Sequence, residues 1–381
     1  MMLKEKKALQ VKMEILSHGI SFDIDLFENY DGEFYDNQFV YGQTSKGVTP
    51  KHRFPQVILL APKVNSALLR REGSPYRLER EENQFMLYRE NELITDIVLP
   101  ERPAYFGKVL SDGTPVENIL AVAGESTPGF FLSPDCYYFR NGKPCSFCSM
   151  KSTRNTVGKH MAMTFSPDQI RECIAIVENT KWRNVPIYSV TTGTCETDEQ
   201  FVEEIIGPLE VMHDAMNKPT NIHLLTHPPK KKELLYRLKE AGVTSIAFNL
   251  EVYDRELMPA ICPGKFSCFG YDEWWSALEN AREVWGDWKV FCGLVWGLES
   301  MESTIRGNHD IASRCINVAS NIFHADPRSA MCDHPHFPPD YIRAIGQDLA
   351  KLYAQYPQMR PIFDVSMRST IDWEIKQGYL G

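Results

Sequence analysis

The chain has 381 residues, of which 43% are hydrophobic and 24% are charged, as in an ordinary globular protein with one large domain and room for an accessory region. Its formal net charge of −9 argues against a protein that binds duplex nucleic acid or a membrane surface, because either function needs a basic face. No stretch approaches the roughly 18 consecutive apolar residues of a membrane helix, and the N-terminal residues carry no apolar signal segment. We therefore predict a cytoplasmic protein in which most of the 10 cysteines are free thiols.

The predicted elements fall into two parts along the chain. Residues 1 to about 115 mix charged runs, Gly and Pro, and we expect an accessory region of short strands and loops there. Beyond it, strands are predicted in chain order at 130–133, 186–192, 221–226, 244–250, 289–297, 321–325 and 361–365. Helices are predicted to begin near 166, 197 and 232, and to occupy 271–284, 302–318, 339–355 and 371–377.

Alternating strands and helices predict a parallel sheet with helices outside it. So many units in succession favour an α/β fold of the partial or full (β/α) TIM-type barrel kind over an open doubly wound sheet. We therefore divide the chain into an accessory region, 1–115, and a barrel with a C-terminal extension, 116–381. In a parallel barrel the functional residues lie in the loops that follow the strands.

The loop after the first barrel strand, DCYYFRNGKPCSFCSM at 135–150, holds Cys136, Cys145 and Cys148. An odd number of thiols in a reducing compartment argues against disulfide bonds. Structural zinc stays open as an alternative, with the three thiolates and His160 as ligands, although zinc sites usually bring a second pair of cysteines. A 4Fe–4S cluster held by three thiolates explains the odd count, because its fourth iron keeps an open position for a ligand that is not protein.

At this loop the sequence resembles the radical S-adenosylmethionine (radical SAM) enzymes, which place three cysteines after the first strand of a (β/α) barrel. Their commonest spacing is C-x3-C-x2-C with an aromatic residue before the last cysteine. This chain keeps the C-x2-C pair and the aromatic, Phe147, but has eight residues between Cys136 and Cys145, as in minority branches. The resemblance covers residues 120 to 330. Three later segments match in order: TTGTCE at 191–196, NLEVYD at 249–254 and GLVWGLES at 293–300. They are most similar to the branch that contains biotin synthase and the hydrogenase maturases.

The resemblance implies a 4Fe–4S cluster on the three cysteines and S-adenosylmethionine (SAM) on its open iron. Reductive cleavage of SAM would then give a 5′-deoxyadenosyl radical that abstracts hydrogen from a small-molecule substrate. It further implies a flavodoxin- or ferredoxin-type electron donor and sensitivity to oxygen. The residues implied for SAM binding are Phe147, Thr192, Gly193, Thr194, Asn249, Glu251, Val295 and one of the two cations Arg255 and Lys265.

The reaction on the substrate stays open between rearrangement, bond cleavage, dehydrogenation, methyl transfer and sulfur insertion. Sulfur insertion needs a second cluster, and Cys292 stands near a position where such a cluster would be bound. Cys332, His227 and His324 are candidate catalytic residues, because each follows a predicted strand. A zinc-stabilised binding protein without catalytic activity is the alternative from another class, but such a protein has no reason to carry the three strand-end segments.

Overall fold

The computed structural model describes residues 2–30, 32, 55, 57–123, 127–151, 164–180, 185, 187–217, 220–326, 328–365 and 367–380. Its strands are β1 (Val57–Ala61), β2 (Val64–Ala67), β3 (Tyr76–Glu81), β4 (Gln84–Arg89), β5 (Glu92–Ile97), β6 (Leu120–Ala123), β7 (Thr127–Leu132), β8 (Ile187–Thr192), β9 (Asn221–Leu225), β10 (Val243–Ala247), β11 (Val290–Trp296) and β12 (Asn317–Ile322).

The helices connect and flank these strands. In chain order they are α1 (Glu5–His18), α2 (Tyr137–Arg140), α3 (Pro167–Thr180), α4 (Asp198–Phe201), α5 (Gly207–Ala215), α6 (Glu233–Glu240), α7 (Met258–Ile261), α8 (Tyr271–Trp285), α9 (Met301–Ser313), α10 (Pro339–Gln355) and α11 (Asp372–Lys376). Two π-helical segments, Val202–Ile206 and Lys265–Phe269, and a 3-10 turn, Val116–Asn118, complete the set. No helix in the described part of the chain is long and apolar enough to cross a membrane.

The main sheet has seven strands, which lie side by side in chain order from β6 to β12. β6 runs antiparallel to β7, whereas β7 to β12 are parallel and each pairs with the strand before it. Helices join the parallel strands, since such strands need a crossover connection. The result is a partial (β/α) barrel, which confirms the predicted fold class.

The two faces of this sheet differ in character. Ser189, His223 and Ser245 are in register on neighbouring strands and put small or polar side chains on one face. The opposite face meets the helices: a Cβ on Gly307 of α9 would lie 2.7 Å from Leu294 of β11. Because side chains alternate along a strand, the face with Ser189 is the inner one. On this inner face the His223 ring packs against the rings of Phe291 and Phe363.

The N-terminal region is joined to the barrel by α1, which the sequence did not predict. One side of α1 packs into the barrel core, and the other packs against the sheets β1–β2 and β3–β5. The first set is Leu9, Met13 and Leu16, and the second is Ala8, Val11 and Ile15. Lys12 and Glu14 are buried between them, so the helix has no polar face and its sequence lacks the usual contrast of an amphipathic helix.

Two predicted boundaries near the C-terminus are wrong. The helix predicted at 302–318 ends at Ser313, and the strand predicted at 321–325 is β12, which begins at Asn317. The helical spacing of Ile311, Cys315 and Val318 continues past the turn, where Cys315 takes a positive φ of 58°. The strand predicted at 361–365 is a series of bends, because that apolar segment packs against the sheet instead of pairing with it.

A buried charge cluster fastens α1 to the C-terminal segment. Lys12 Nζ lies 2.6 Å from Glu374 Oε1 and 2.7 Å from the Met367 carbonyl oxygen. Nearby, the Asp372 carboxylate accepts a hydrogen bond from the backbone N–H of Ser320 in β12. Burial raises the pKa of Asp372 from 3.8 to about 7, although Ser320 and Lys12 act in the opposite direction.

This shift predicts a pH-dependent stability. Between pH 3.8 and about 7 the unfolded chain holds Asp372 ionised while the folded chain holds it protonated, so the free energy of unfolding falls as pH rises through that window. We expect Asp372→Asn to be more stable than the wild type at pH 8, and the difference between the two to shrink as pH falls to 5. Thermal unfolding of both proteins across this pH range measures the difference in stability. Asp287→Asn, at an exposed carboxylate, is the control and should show a difference that does not change with pH. A constant difference for Asp372→Asn would contradict the argument.

Candidate active site

The cysteine loop begins where β7 ends. Ser133 turns the chain with a positive φ of 46°, and Cys136 then caps the N-terminus of the short α2. Cys145 and Cys148 form a tight turn in which the Cys148 N–H donates to the Cys145 carbonyl oxygen at 3.0 Å. None of the three cysteines forms a disulfide bond, and all three are partly exposed. The loop therefore places three reduced cysteines at the carboxyl end of the first parallel strand.

The segment after β8 holds this loop in place. Gly193 N–H donates to the Ser133 carbonyl oxygen at 3.0 Å, and Tyr137 N–H donates to the Thr194 carbonyl oxygen at 2.7 Å. A Cβ on Gly193 would lie 2.3 Å from the Ser133 oxygen and 3.1 Å from the Cys136 Cα. Only glycine permits this approach of one backbone to another.

We expect Gly193→Ala to push the two loops apart and to destabilise the fold by about 1–3 kcal/mol, because backbone atoms cannot yield as a flexible side chain does. The measurements are the thermal midpoint and the iron content after reconstitution, and both should fall. Gly207→Ala is the matched control, since its Cβ would meet nothing closer than the Val202 oxygen at 3.6 Å. It should leave both values unchanged or raise the midpoint slightly. Normal iron loading in Gly193→Ala would show that the close approach is not needed.

A buried ion pair lies behind the loop. Lys265 Nζ donates to Glu251 Oε1 at 2.9 Å and to the Asn249 carbonyl oxygen at 2.6 Å. It also lies 4.5 Å from the centroid of the Trp274 ring. Burial, the largest single influence, lowers the pKa of Lys265, but the charges of Glu251, Cys145 and Cys262 and the hydrogen bond to Glu251 together outweigh it, and the pKa is raised. The ammonium group is therefore a fixed positive charge at the carboxyl end of β10.

The backbone around this pair is held by β11. Glu251 takes a positive φ of 72°, and its N–H and carbonyl bond to Gly293 and Val295 at 2.9 and 2.8 Å. The Asn249 side chain accepts from the Gly293 N–H at 2.9 Å, and a Cβ on Gly293 would lie 2.8 Å from that side-chain oxygen. Such a conformation of a non-glycine residue costs about 1–3 kcal/mol and is typical of functional sites.

Cys145 adjoins this pair through a further thiol that the sequence did not assign. A hydrogen bond with Cys262, and then burial, raise the pKa of Cys145 well above that of a free thiol, whereas the charge of Lys265 acts in the opposite direction. The two segments are joined by their backbones, since Ser146 N–H donates to the Ile261 carbonyl oxygen at 2.8 Å. The spacing of the cysteines gave no sign of this neighbour.

The chemistry of the three cysteines fits an iron–sulfur cluster. They lie on one loop and none forms a disulfide bond. A 4Fe–4S cluster binds its cysteines through different irons, so three thiolates leave its fourth iron open. His160, the fourth ligand considered for zinc, lies outside the described residues.

The other residues implied for SAM binding differ in whether they lie near the thiol loop. The Thr192 hydroxyl bonds with the Gly193 carbonyl and with Thr226, Phe147 packs against the barrel core, and Val295 is buried in β11. Arg255 points away: its guanidinium makes two hydrogen bonds, of 2.8 and 2.6 Å, to the exposed Asp272. Of the two candidate cations, the structure therefore brings Lys265 to Glu251 and not Arg255.

The three candidate catalytic residues do not lie together. His227 follows β9. Burial lowers its pKa to about 3, although a hydrogen bond to the backbone of Gly193 acts in the opposite direction. Cys332 and His324 line a different cleft, between the segment after β12 and the N-terminal region.

Glu299 is a structural support that the sequence reading missed, although it stands within GLVWGLES. Its carboxylate accepts from the backbone N–H groups of Tyr253 and Asp254 at 3.0 and 2.8 Å, and from the Ser303 hydroxyl at 2.8 Å. Burial raises its pKa. Glu299 thereby holds the end of NLEVYD against β11. In the sequence, only its position as a lone acidic residue after an apolar strand could have indicated this role.

A partial barrel with three reduced cysteines after its first parallel strand is the arrangement of radical SAM enzymes, and comparison of the sequence with known families agrees. The model of the Radical SAM superfamily matches residues 136–302. Residues 136–302 of this chain are therefore a radical SAM domain, and the family implies a 4Fe–4S cluster and SAM.

Individual relatives are more distant. The sequence is similar to the bacteriochlorophyllide c C-7(1)-hydroxylase of Chlorobaculum limnaeum, with 24% identity over 262 residues, 65% of this chain. The match spans 64% of that enzyme's length. Among solved structures, HydG, a maturase of the [FeFe]-hydrogenase, matches 66% of this chain and 54% of its own, with a TM-score of 0.50 and 14% identity. Methylornithine synthase (PylB) matches 70% of this chain and 71% of its own, with a TM-score of 0.45 and 15% identity.

Proposed function

We propose that Cys136, Cys145 and Cys148 hold a 4Fe–4S cluster, and that the protein cleaves SAM to abstract hydrogen from a small-molecule substrate. When bound, the cluster supplies one electron to the sulfonium of SAM, which yields a 5′-deoxyadenosyl radical. The observation that carries the proposal is the position of three cysteines, none of them in a disulfide bond, on a loop fastened to the segment after β8 and adjacent to the buried Lys265–Glu251 pair.

The protein groups near the thiols suit an amino-acid moiety such as the methionine part of SAM. Lys265 is a fixed ammonium group and would bind a carboxylate. A ligand ammonium needs acceptors instead. The Gly193 carbonyl already accepts from the Thr192 hydroxyl and from His227, whereas the Thr194 carbonyl accepts from the Tyr137 N–H and keeps a second lone pair. Thr194 and the Glu251 carboxylate are therefore the acceptors that we assign to the ammonium.

We place the substrate at the carboxyl ends of the parallel strands, beside the thiol loop, because the functional residues of parallel barrels lie in the loops that follow the strands. The relative from Chlorobaculum limnaeum is named as a hydroxylase, and hydroxylation replaces a C–H bond. We propose that this protein likewise acts first on a C–H bond of its substrate, by removal of hydrogen.

Sulfur insertion finds no support in the position of Cys292. This residue lies on β11 two positions before Leu294, whose side chain meets Gly307 of α9. Cys292 therefore faces the helices and is fully buried, on the opposite side of the sheet from the inner face. We accordingly do not propose a second cluster at Cys292.

The test is anaerobic reconstitution with iron and sulfide, followed by iron counting and low-temperature EPR with and without SAM. The proposal expects about four irons per chain and a spectrum that changes when SAM is added. With dithionite, or with a reduced flavodoxin or ferredoxin, 5′-deoxyadenosine should form. One tightly bound zinc without iron would overturn the proposal, and about eight irons would reinstate the second cluster.

A further inference from the structure

A second cavity lies at the β12 edge of the barrel. It has a volume of 610 Å³, within the range of small-molecule sites. One wall is the end of α1 with residues 69–72, and the other is the segment after β12, from His324 to His336. Because His324 and Ala325 follow the carboxyl end of β12, the cavity opens at the end of the barrel where catalytic residues gather. We call it the edge cleft.

Arg71 is placed in the edge cleft by its backbone. Ile20 N–H donates to the Leu69 carbonyl oxygen and Arg71 N–H donates to the Ile20 carbonyl oxygen, both at 2.8 Å. Gly19, with a φ of 71°, ends α1 and lets the two segments meet. A Cβ there would lie 2.7 Å from the Arg71 Cβ and 2.9 Å from the Leu69 oxygen. The position of Arg71 therefore depends on a glycine at the end of α1.

Arg71 carries the uncompensated charge of the cleft. Its neighbour Arg70 is paired with Glu72 at 3.3 Å and also donates to the Phe22 carbonyl oxygen. The side chain of Arg71 has no ion pair or hydrogen bond with any residue that the structure describes. Arg71 is partly buried, and this burial lowers its pKa. Asp333, on the opposite wall, is exposed and accepts from the Cys332 thiol at 3.6 Å.

The histidines around Arg71 add donors without adding charge. Burial, and then the charge of Arg71, lower the pKa of His336 in the cleft wall. Burial likewise lowers the pKa of His18 at the end of α1, again with a contribution from Arg71. Both rings are therefore neutral at pH 7. A single guanidinium flanked by neutral imidazoles matches a singly charged carboxylate better than a doubly charged phosphate.

We propose that the edge cleft binds a carboxylate group of the substrate, with the Arg71 guanidinium as its partner. The inference rests on the proposed function, because the cleft adjoins the catalytic end of the barrel. It places a carboxylate on the part of the substrate that extends past β12, away from the C–H bond that reacts. The carbonyl oxygens at the end of α1 would repel an anion, but two of them already accept hydrogen bonds. The Ile15 carbonyl accepts from the Gly19 N–H, and the Ser17 carbonyl accepts from His336.

The test uses the full chain without cluster or SAM and two probes, butyrate and inorganic phosphate, at constant ionic strength maintained with chloride. NMR titration measures each dissociation constant. Butyrate should bind the wild type more tightly than phosphate does. Arg71→Gln should weaken butyrate binding by about 10-fold or more, as for other hydrogen bonds to charged groups. Arg71→Lys keeps the charge without the planar fork and should show a smaller loss.

The matched control is Arg77→Gln, which removes the same charge from an exposed arginine that is paired with Glu79 on β3. It should bind butyrate as the wild type does. Equal weakening in Arg71→Gln and Arg77→Gln, tighter binding of phosphate, or binding of neither probe would overturn the proposal. Because neither cluster nor SAM is present in this titration, its failure leaves the proposed function intact. A failure of iron loading would in turn leave the titration unaffected.

Discussion

Cys148→Ala is expected to abolish cluster loading, so that iron and sulfide reconstitution leaves only background iron. Formation of 5′-deoxyadenosine should fall by more than about 100-fold, since the loss of an outer-shell partner at a metal site already costs roughly 10- to 100-fold. The reason is geometric as well as chemical. The C-x2-C turn holds Cys145 and Cys148 together through one backbone hydrogen bond of 3.0 Å, and no other thiol lies within that turn.

The control for Cys148 is Cys173→Ala, which removes a buried thiol from the apolar face of α3. It should lower the thermal midpoint through the small cavity that it creates, but leave the iron content unchanged. Iron retained in Cys148→Ala at the level of Cys173→Ala would contradict the assignment of the loop. Loss of iron in both variants would instead indicate that the fold, and not the ligand, had failed.

Lys265→Met is expected to weaken SAM binding by at least about 10-fold and to leave the iron content near that of the wild type. The substitution removes the cation that bonds Glu251, and hydrogen bonds to charged groups contribute about 1.5–3 kcal/mol. It also leaves the Glu251 carboxylate buried without its partner, which costs roughly 3–5 kcal/mol of stability. Equilibrium dialysis of SAM with the reconstituted, unreduced protein measures the affinity, and thermal unfolding measures the stability.

Lys12→Met distinguishes the loss of SAM affinity from the loss of stability. Lys12 and Glu374 form the other buried pair described above, far along the chain from the thiol loop, and their side chains are fully buried. Its loss should destabilise the protein comparably while SAM binds as before. If Lys265→Met lowers the thermal midpoint yet binds SAM normally, then Lys265 supports the fold alone. A comparable loss of SAM binding in Lys12→Met would mean that any destabilisation impairs the site.

The geometry of Glu251 explains why this pair and the thiol loop depend on each other. Its positive φ turns the chain out of the β10 direction, and β11 fixes that turn through Gly293 and Val295. Lys265 returns from the π-helical segment to bond the same carboxylate, and Cys262, three residues before it, reaches Cys145. A thiol ligand and the cation assigned to SAM are thus positioned by one short stretch of chain.

The features that depend on local order could be predicted from the residues alone. The three cysteines at 136, 145 and 148, the alternation of strands and helices and the order of the strand-end segments all follow from residues close together in the chain. They were enough to predict a partial (β/α) barrel and the radical SAM class, both of which are confirmed. They did not predict contacts between residues far apart in the chain, because no spacing rule links distant positions.

The contacts between distant segments could be assigned only from the folded chain. Arg255 and Lys265 are equivalent as cations in the sequence, but Arg255 pairs with Asp272 on the surface while Lys265 is buried against Glu251. The double-sided burial of α1 removed the polar face by which a helix is recognised, and the apolar spacing after Ser313 concealed the start of β12. The edge cleft arises only when residues from three separate segments meet. In each case burial, which depends on the whole fold, decided what the residue contacts.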